Sequence, residues 1–89
     1  MAYGIELAPQ AERDLRALEP QTRRRIFAKL EQLKADPYPP GVETLQGTGR
    51  ERFERVRVGD YRIVYQVQRA RLVVLVVRIG HRREVYRRT

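Results

Sequence analysis

The spacing of the apolar residues changes once along this chain, and that change constrains its fold more than any other feature. In the first 35 residues the apolar positions recur every three or four residues, which is typical of amphipathic helices. From Phe53 onward they alternate with polar residues, which is typical of strands. Three prolines and a glycine in the segment 36–41 end the helical part, and the stretch from there to Gly49 is predicted to be a loop. The sequence therefore predicts helices first and a sheet second.

Two helices are predicted in the first part, after a short strand over residues 3–7. The first helix begins at Pro9, because a proline is tolerated in the first turn of a helix. Pro20 begins the second helix, since the residue before a proline disfavours helical geometry. A connection this short predicts an antiparallel helical hairpin. The apolar stripes of the two helices are Ala11, Leu15 and Leu18, and then Ile26, Leu30 and Leu33.

Three antiparallel strands are predicted in the second part, over residues 53–58, 61–67 and 72–77. The last of them is apolar on both faces, as a covered central strand is. The hairpin is expected to bury Tyr61 and Tyr65 on one face of the sheet and to leave Arg62 on a partly open face. Residues 1–89 are thus predicted to form one α+β domain. In it, the N-terminal strand and helical hairpin pack on one face of an antiparallel sheet, and a basic C-terminal tail follows.

The net charge of +8 lies entirely in the second half of the chain. Residues 1–49 hold seven basic and seven acidic side chains, whereas residues 50–89 hold twelve arginines and four acidic side chains. Arginine presents a planar fork of donors that matches phosphate and stacks on bases. A nucleic acid is therefore the predicted partner, although arginines that merely solvate a sheet surface are the structural alternative.

The composition argues against several kinds of site. There is no cysteine, and His81 is the only histidine, so neither a transition-metal site nor a cofactor is expected. The longest apolar run, residues 72–77, is far too short to cross a bilayer. The N-terminus lacks the pattern of a secretory signal. A cytoplasmic protein without membrane contact is the expectation.

Two segments of the second half resemble a known family. The string from Arg57 to Tyr65, RVGDYRIVY, and the string from Gly80 to Tyr86, GHRREVY, resemble the RelE/ParE toxin superfamily, and its RelE branch in particular. The likeness runs over essentially the whole chain. It implies the toxin of a type II toxin–antitoxin pair, which a small RelB-like antitoxin neutralises. RelE toxins enter the ribosomal A site and cleave mRNA there, whereas ParE toxins poison DNA gyrase and have no nuclease site.

The same resemblance implies catalytic roles for individual residues. Arg62 matches a mid-strand arginine that contacts the scissile phosphate. Tyr86 matches a C-terminal aromatic residue that stacks on the RNA and orients it. An arginine that precedes this aromatic residue in the family corresponds to Arg82 or to Arg83.

Further arginines are predicted to bind RNA without taking part in the reaction. The family often carries lysines on the strand before Arg62, where this chain has Arg55 and Arg57. Arg87 and Arg88 extend the basic tail beyond the aromatic residue. The run 23–25 is interpreted as a mostly solvated helix face that assists binding to ribosomal RNA.

RNA cleavage without a metal ion uses the neighbouring 2′-OH as the nucleophile. Arg62 with Arg82 or Arg83 would clamp the phosphate and stabilise the charge of the transition state. Arginine loses its proton only above about pH 12, so it is a poor base. His81 is the candidate for proton transfer, as base or as acid, because its usual pKa lies near neutrality. Weaker candidates are Tyr86 and Glu84.

Several of these predictions have alternatives that the sequence leaves open. His81 could be an ordinary turn residue, and Tyr86 could dock with Val85 against the edge of the sheet. If no side chain serves as base, catalysis would depend on positioning and on charge stabilisation. Two rival functions also stay open: a ParE-like inhibitor of gyrase, and a decayed or antitoxin-free RNA-binding module.

Overall fold

A computed structural model of the chain describes residues 2–46 and 51–83. Within these residues the elements follow one another as β1 (Gly4–Leu7), α1 (Pro9–Arg16), α2 (Pro20–Ala35), β2 (Glu43–Gln46), β3 (Arg52–Val58), β4 (Tyr61–Gln68) and β5 (Val73–His81). Both helices pack on one face of the sheet, which confirms the predicted α+β class. Neither described helix is long and apolar enough to cross a membrane.

The described strands form one sheet in the order β1-β5-β4-β3-β2, so β4 is its central strand. β1 pairs with β5 in parallel, and all the other neighbours pair antiparallel. The prediction of a three-stranded meander is correct for β3, β4 and β5. It is wrong about the size of the sheet, because β1 and β2 also belong to it, as the two edge strands. The parallel pairing of β1 brings the start of the chain back beside β5, the last of the described strands.

The segment after the prolines, predicted as a loop, contains β2 instead. β2 pairs with β3, with Thr44 opposite Glu54 and Leu45 opposite Phe53. The Thr44 hydroxyl also donates a hydrogen bond of 2.8 Å to a carboxylate oxygen of Glu54. All residues of β2 except Leu45 are exposed, so no apolar alternation marks this edge strand in the sequence. It forms because β3 offers a row of unpaired backbone groups.

The last strand extends further than its apolar run predicts. β5 begins at Val73, one residue later than expected, and continues to His81. Leu72 lies in the preceding turn with a φ of 54°, where a side chain is unfavourable. Gly80 and His81, which the sequence assigns to the tail, therefore belong to the sheet.

A β-bulge in β5 inverts which residues face the helices. Val64 of β4 pairs with Arg78, but the next residue, Tyr65, pairs with Val76, so Val77 has no partner on β4. Before the bulge the core face of β5 carries Val74 and Val76, and after it Ile79 and His81. Without the extra residue, strict alternation would have placed Arg78 and Gly80 on that face.

The predicted apolar stripes of the helices form the core. All of their residues are buried except Leu18, which follows the end of α1 and is half-buried. The sheet contributes Val56, Ile63, Tyr65, Val74, Val76 and Ile79. Tyr65 is fully buried and Tyr61 half-buried against this core, as predicted.

The Tyr65 hydroxyl supplies a pH-dependent part of the stability. It donates a hydrogen bond of 2.6 Å to the Pro37 carbonyl, and burial of the ring raises the pKa of Tyr65 above its usual value near 10, with the Glu54 carboxylate adding to the effect. Since the folded pKa is raised, the neutral phenol is favoured in the fold. Its stabilisation is present below about pH 10 and is lost as the pH rises further.

We expect Tyr65→Phe to lower the free energy of unfolding by about 1–2 kcal/mol at neutral pH, because the Pro37 carbonyl loses its donor. Between about pH 10 and pH 11.5 this difference should shrink by about 2 kcal/mol, since only the wild type must protonate a phenolate on folding. Urea unfolding followed by circular dichroism across this range measures both quantities. Parallel pH profiles for the two proteins would contradict the assignment.

Candidate functional site

Arg62 lies on the face of the sheet opposite the helical hairpin. Alternation along β4 places its neighbours Tyr61 and Ile63 on the core side, so Arg62 points the other way. Its partner on β3 is Arg57, and its partner on β5 is Gly80, which carries no side chain. The central strand thus holds this guanidinium between two neighbouring strands.

Arg62 is 5% exposed, which is far less than an open face predicts. Its Nη1 donates hydrogen bonds to the carbonyls of Gly59, at 3.2 Å, and Tyr61, at 3.0 Å. The guanidinium is therefore folded back onto the turn between β3 and β4, and this central position explains the low exposure. Its Nε is buried and has no hydrogen-bond partner in residues 2–46 and 51–83.

Arg55 and Arg57 lie on the same face of the sheet as Arg62. Arg57 is exposed, whereas Arg55 is bound to Glu43 of β2. Nε and Nη2 of Arg55 donate hydrogen bonds of 3.1 Å and 2.7 Å to the same carboxylate oxygen of Glu43. Hydrogen bonding and charge from Arg55, and then the charges of Arg57 and Arg62, lower the pKa of the Glu43 carboxyl. One carboxylate thus faces three guanidinium groups, and the face stays positive.

His81 lies on the opposite face of the sheet from Arg62. It pairs with Tyr61 across β4 and β5, and the two rings meet edge to face with centroids 5.7 Å apart. Its Nδ1 accepts a hydrogen bond of 3.3 Å from the backbone N–H of Arg83. The bulge in β5 places it there, so the structure does not bring the candidate for proton transfer together with the candidate phosphate clamp.

Arg82 is tied to the same turn as Arg62. Its backbone N–H donates a hydrogen bond of 2.9 Å to the carbonyl of Asp60, next to Gly59, whose carbonyl Arg62 contacts. The side chains of Arg82 and Arg83 are both exposed. Of these two candidates, Arg82 is the one whose backbone is fixed beside the Arg62 guanidinium.

Part of the predicted site lies outside the described residues. The structure does not describe five residues to which the sequence assigned a role or a contact: Glu84, Val85, Tyr86, Arg87 and Arg88. Their roles stay predictions.

Helix α2 brings a further arginine to this turn, and sequence reasoning missed it. Gly59 has a φ of 59°, and Nη2 of Arg25 lies 2.9 Å from the point that a Cβ on Gly59 would occupy. Arg23, predicted to be solvated, is half-buried instead, because its Nη2 donates a hydrogen bond of 2.8 Å to the Leu18 carbonyl between the helices. No sequence signal reports either approach, since both depend on how α2 docks.

The turn between β3 and β4 therefore gathers positive charge from three elements. The guanidinium groups of Arg62, from β4, and of Arg25, from α2, reach it, and the backbone N–H of Arg82 ties the end of β5 to it. The Arg62 guanidinium, which two backbone carbonyls fix, is already oriented when an anion arrives, so little order is lost on binding. Such an arrangement suits a phosphodiester, to which arginine donates charge-assisted hydrogen bonds.

Residues 5–86 match the family model described as ParE toxin of type II toxin–antitoxin system, parDE. The chain is similar to the archaeal RelE–RelB complex structure from Pyrococcus horikoshii, with 29% identity, a TM-score of 0.78, and coverage of 92% of this chain and 97% of that chain. The isolated Escherichia coli RelE toxin shares 24% identity with a TM-score of 0.76, over 98% of each chain. A Methanocaldococcus jannaschii protein that carries the name toxin RelE1 is 26% identical, over 98% of both.

The family model describes a toxin of type II toxin–antitoxin systems, and the relative and the solved structures above carry the name RelE. The described fold, two helices on a mostly antiparallel five-stranded sheet, is that of the RelE structures. This chain therefore belongs to the ParE toxin family of type II toxin–antitoxin systems, in its RelE branch, and is the toxin of such a pair.

Proposed function

We propose that this toxin is an endoribonuclease that enters the A site of the ribosome, cuts the mRNA there and so inhibits translation. The observation that carries the proposal is Arg62, a residue that is 5% exposed, whose guanidinium is fixed by two carbonyls and whose Nε is left unpartnered among the described residues. A buried cation with an unused donor, facing other cations, is suited to an anionic ligand. A phosphodiester of mRNA fits this requirement.

In the proposed reaction the 2′-OH attacks the adjacent phosphorus. The bond from the 2′-oxygen to phosphorus forms and the bond from phosphorus to the 5′-oxygen breaks. The products are a 2′,3′-cyclic phosphate and a 5′-hydroxyl, and the proton lost by the 2′-OH is balanced by one gained at the 5′-oxygen. Arg62 stabilises the charge that develops on the phosphoryl oxygens, with Arg82 as the second cation. Arginine thus supplies positive charge without any need for a metal ion.

Proton transfer is not assigned to His81 in this scheme, because His81 faces away from Arg62. The acceleration comes instead from charge stabilisation and from holding the 2′-oxygen in line with the leaving oxygen. The ribosome would provide that alignment by presenting the codon in a fixed geometry. Tyr86 would add a stacking surface for the base, and the exposed Arg57 would contact the RNA backbone together with Arg87 and Arg88.

A RelB-like antitoxin is the proposed natural inhibitor. The similar Pyrococcus horikoshii structure is a RelE–RelB complex, at 29% identity to this chain. Acidic side chains of such a partner would compensate the arginines around the turn, as Glu43 already does for Arg55. Because its target is the ribosome, we place the toxin in the cytoplasm.

The test is controlled induction of the toxin, with translation, mRNA 5′ ends and growth followed in the same cultures. Growth arrest together with new 5′ ends inside codons is the expected result. Purified toxin should also produce a toeprint stop in the A site of programmed ribosomes. The alternative, a ParE-like gyrase inhibitor, predicts intact mRNA and inhibited supercoiling by purified gyrase. That combination would overturn the nuclease proposal.

A further inference from the structure

A small pocket opens on the helix-covered face, at the end of the sheet where β5 finishes. Its volume is about 180 Å³. Ala17, Leu18 and Ile79 line it together with Tyr61, His81, Gly80 and Asp14. None of the reaction steps proposed for Arg62 uses this pocket. It lies one residue along β4 from Arg62, on the opposite face of the sheet.

The size of the pocket matches one small aromatic ring. An apolar cavity of about 150 Å³ is known to admit benzene, whereas pockets for drug-sized ligands span roughly 300–1,000 Å³. A volume of about 180 Å³ therefore suits a six-membered ring with its substituents. The pyrimidine bases are planar rings of this size.

Some polar groups of the pocket already have hydrogen-bond partners within the protein, and others do not. Asp14 accepts hydrogen bonds from Arg78, Ile79 and Gln10, so its carboxylate is already satisfied. His81 accepts from Arg83 at Nδ1, which leaves Nε2 as a donor in the neutral ring. Within the described part of the chain, neither this Nε2 nor the Tyr61 hydroxyl has a hydrogen-bond partner. A ligand with a carbonyl oxygen would satisfy the donor.

The surroundings of the pocket favour a base that is attached to a phosphate chain. Arg82 and Arg83 directly follow His81 and are exposed, so they lie where the backbone of a bound RNA would need cations. Aromatic side chains bind bases by stacking and edge contacts, and neighbouring arginines bind the phosphates. A free apolar molecule would leave these cations unused.

We propose that this pocket binds one pyrimidine base of the RNA, in a nucleotide that flanks the scissile phosphate, and that Tyr61 and His81 thereby set the sequence preference of the toxin. His81 donates from Nε2 to the carbonyl oxygen at C2, which cytosine and uracil share. The Tyr61 ring forms the neighbouring wall. Contacts to a nucleotide beside the reacting one are a general source of sequence context. The inference rests on the proposed nuclease function, which it extends from the reaction to its selectivity.

The test compares cleavage rates on ribosomes programmed with mRNAs that carry each base in turn on either side of the cut. Wild type is expected to favour a pyrimidine over a purine at one position by roughly tenfold in kcat/KM, the effect of about one good hydrogen bond. His81→Phe keeps an aromatic ring and removes the Nε2 donor, so it should bring this ratio toward one. Tyr61→Phe keeps the ring that forms the wall and should retain the ratio. Tyr3→Phe is the matched control, because Tyr3 is half-buried at the opposite end of the sheet. It should keep the wild-type ratio.

Equal rates for all bases with wild type would overturn the proposal, and so would an unchanged ratio in His81→Phe. The proposal would also be overturned if Tyr3→Phe lost the pyrimidine preference as fully as His81→Phe, because the effect would then not come from the pocket.

A second measurement separates this proposal from the nuclease function itself. His81 is the only histidine in the chain, so its imidazole proton signals are unique in an NMR spectrum. A trinucleotide with cytosine in the middle should shift these signals, whereas one with adenine in the middle should not. If wild type cuts no mRNA on ribosomes, the nuclease proposal fails while this titration still decides whether the pocket binds a pyrimidine. The backbone amide signals of Arg82 and Arg83 report when the trinucleotide has saturated the protein. If the His81 imidazole signals have not shifted at that point, the proposal that the pocket binds a pyrimidine is refuted.

Discussion

Replacing Arg62 with alanine is expected to slow mRNA cleavage on the ribosome by at least about 100-fold, the typical effect of removing one fixed donor from a charged transition state. The loss should be in kcat, because the guanidinium acts on charge that develops during the reaction. Arg62→Lys should recover little of the rate. A lysine lacks the planar fork: it has one nitrogen, whereas Arg62 uses Nη1 for the carbonyls of Gly59 and Tyr61 and keeps Nε for the phosphate. Single-turnover cleavage on programmed ribosomes measures these rates.

The control for this prediction removes an arginine charge elsewhere. Arg16 is exposed at the end of α1 and pairs only with the exposed Glu12 in the described residues, at 3.4 Å. Arg16→Ala should cut at close to the wild-type rate, and circular dichroism should show that both variants are folded. If Arg62→Ala is as fast as Arg16→Ala, the buried guanidinium has no part in the reaction.

Replacing Asp14 with alanine is expected to lower the free energy of unfolding by about 2–4 kcal/mol, by the usual cost of unpairing buried charged groups. One carboxylate oxygen of Asp14 accepts from Nε of Arg78 and from the backbone N–H of Ile79, each at 2.9 Å. The side chain of Asp14 is 11% exposed and that of Arg78 21%, so water replaces these bonds only in part. For a domain whose total stability is roughly 5–15 kcal/mol, this is a large share.

Two variants of the same helix calibrate the effect of Asp14→Ala. Asp14→Asn keeps one acceptor oxygen without the charge, so its loss should be intermediate. Glu12→Ala removes an exposed carboxylate from α1 and should cost less than about 0.5 kcal/mol, as surface ion pairs usually do. Urea unfolding of the three variants and wild type gives the comparison. A loss for Asp14→Ala no larger than that for Glu12→Ala would show that the contact from α1 to the bulge contributes nothing.

The helices, the central strands and the buried face of the sheet could be predicted from the sequence, because their signals are local. Leu15, Ile26 and Leu30 follow the helical repeat, and Ile63 and Tyr65 follow the strand repeat. The spacing of these residues therefore predicts that their side chains point toward the core. The prolines at 9 and 20 fix the helix starts through backbone geometry alone. The position of Arg62 on the opposite face followed from the same alternation.

Other features were decided by residues distant in the sequence. β2 has no apolar pattern and exists because β3 leaves an edge to pair with. The approach of Arg25 to Gly59 depends on the docking of α2, and the low exposure of Arg62 depends on the strands that flank β4. Neither can be read from a local repeat.

By itself, then, the sequence determined an α+β fold with its net positive charge in the second half and Arg62 on the face away from the helices. The tertiary structure alone decided where His81 points. A single unpaired residue, Val77, shifts the pairing of β5 with β4, and that shift turns His81 from the face of Arg62 to the face of the helices. The physical reason is that side chains alternate along a strand only while its pairing is regular, and a bulge depends on the neighbouring strand.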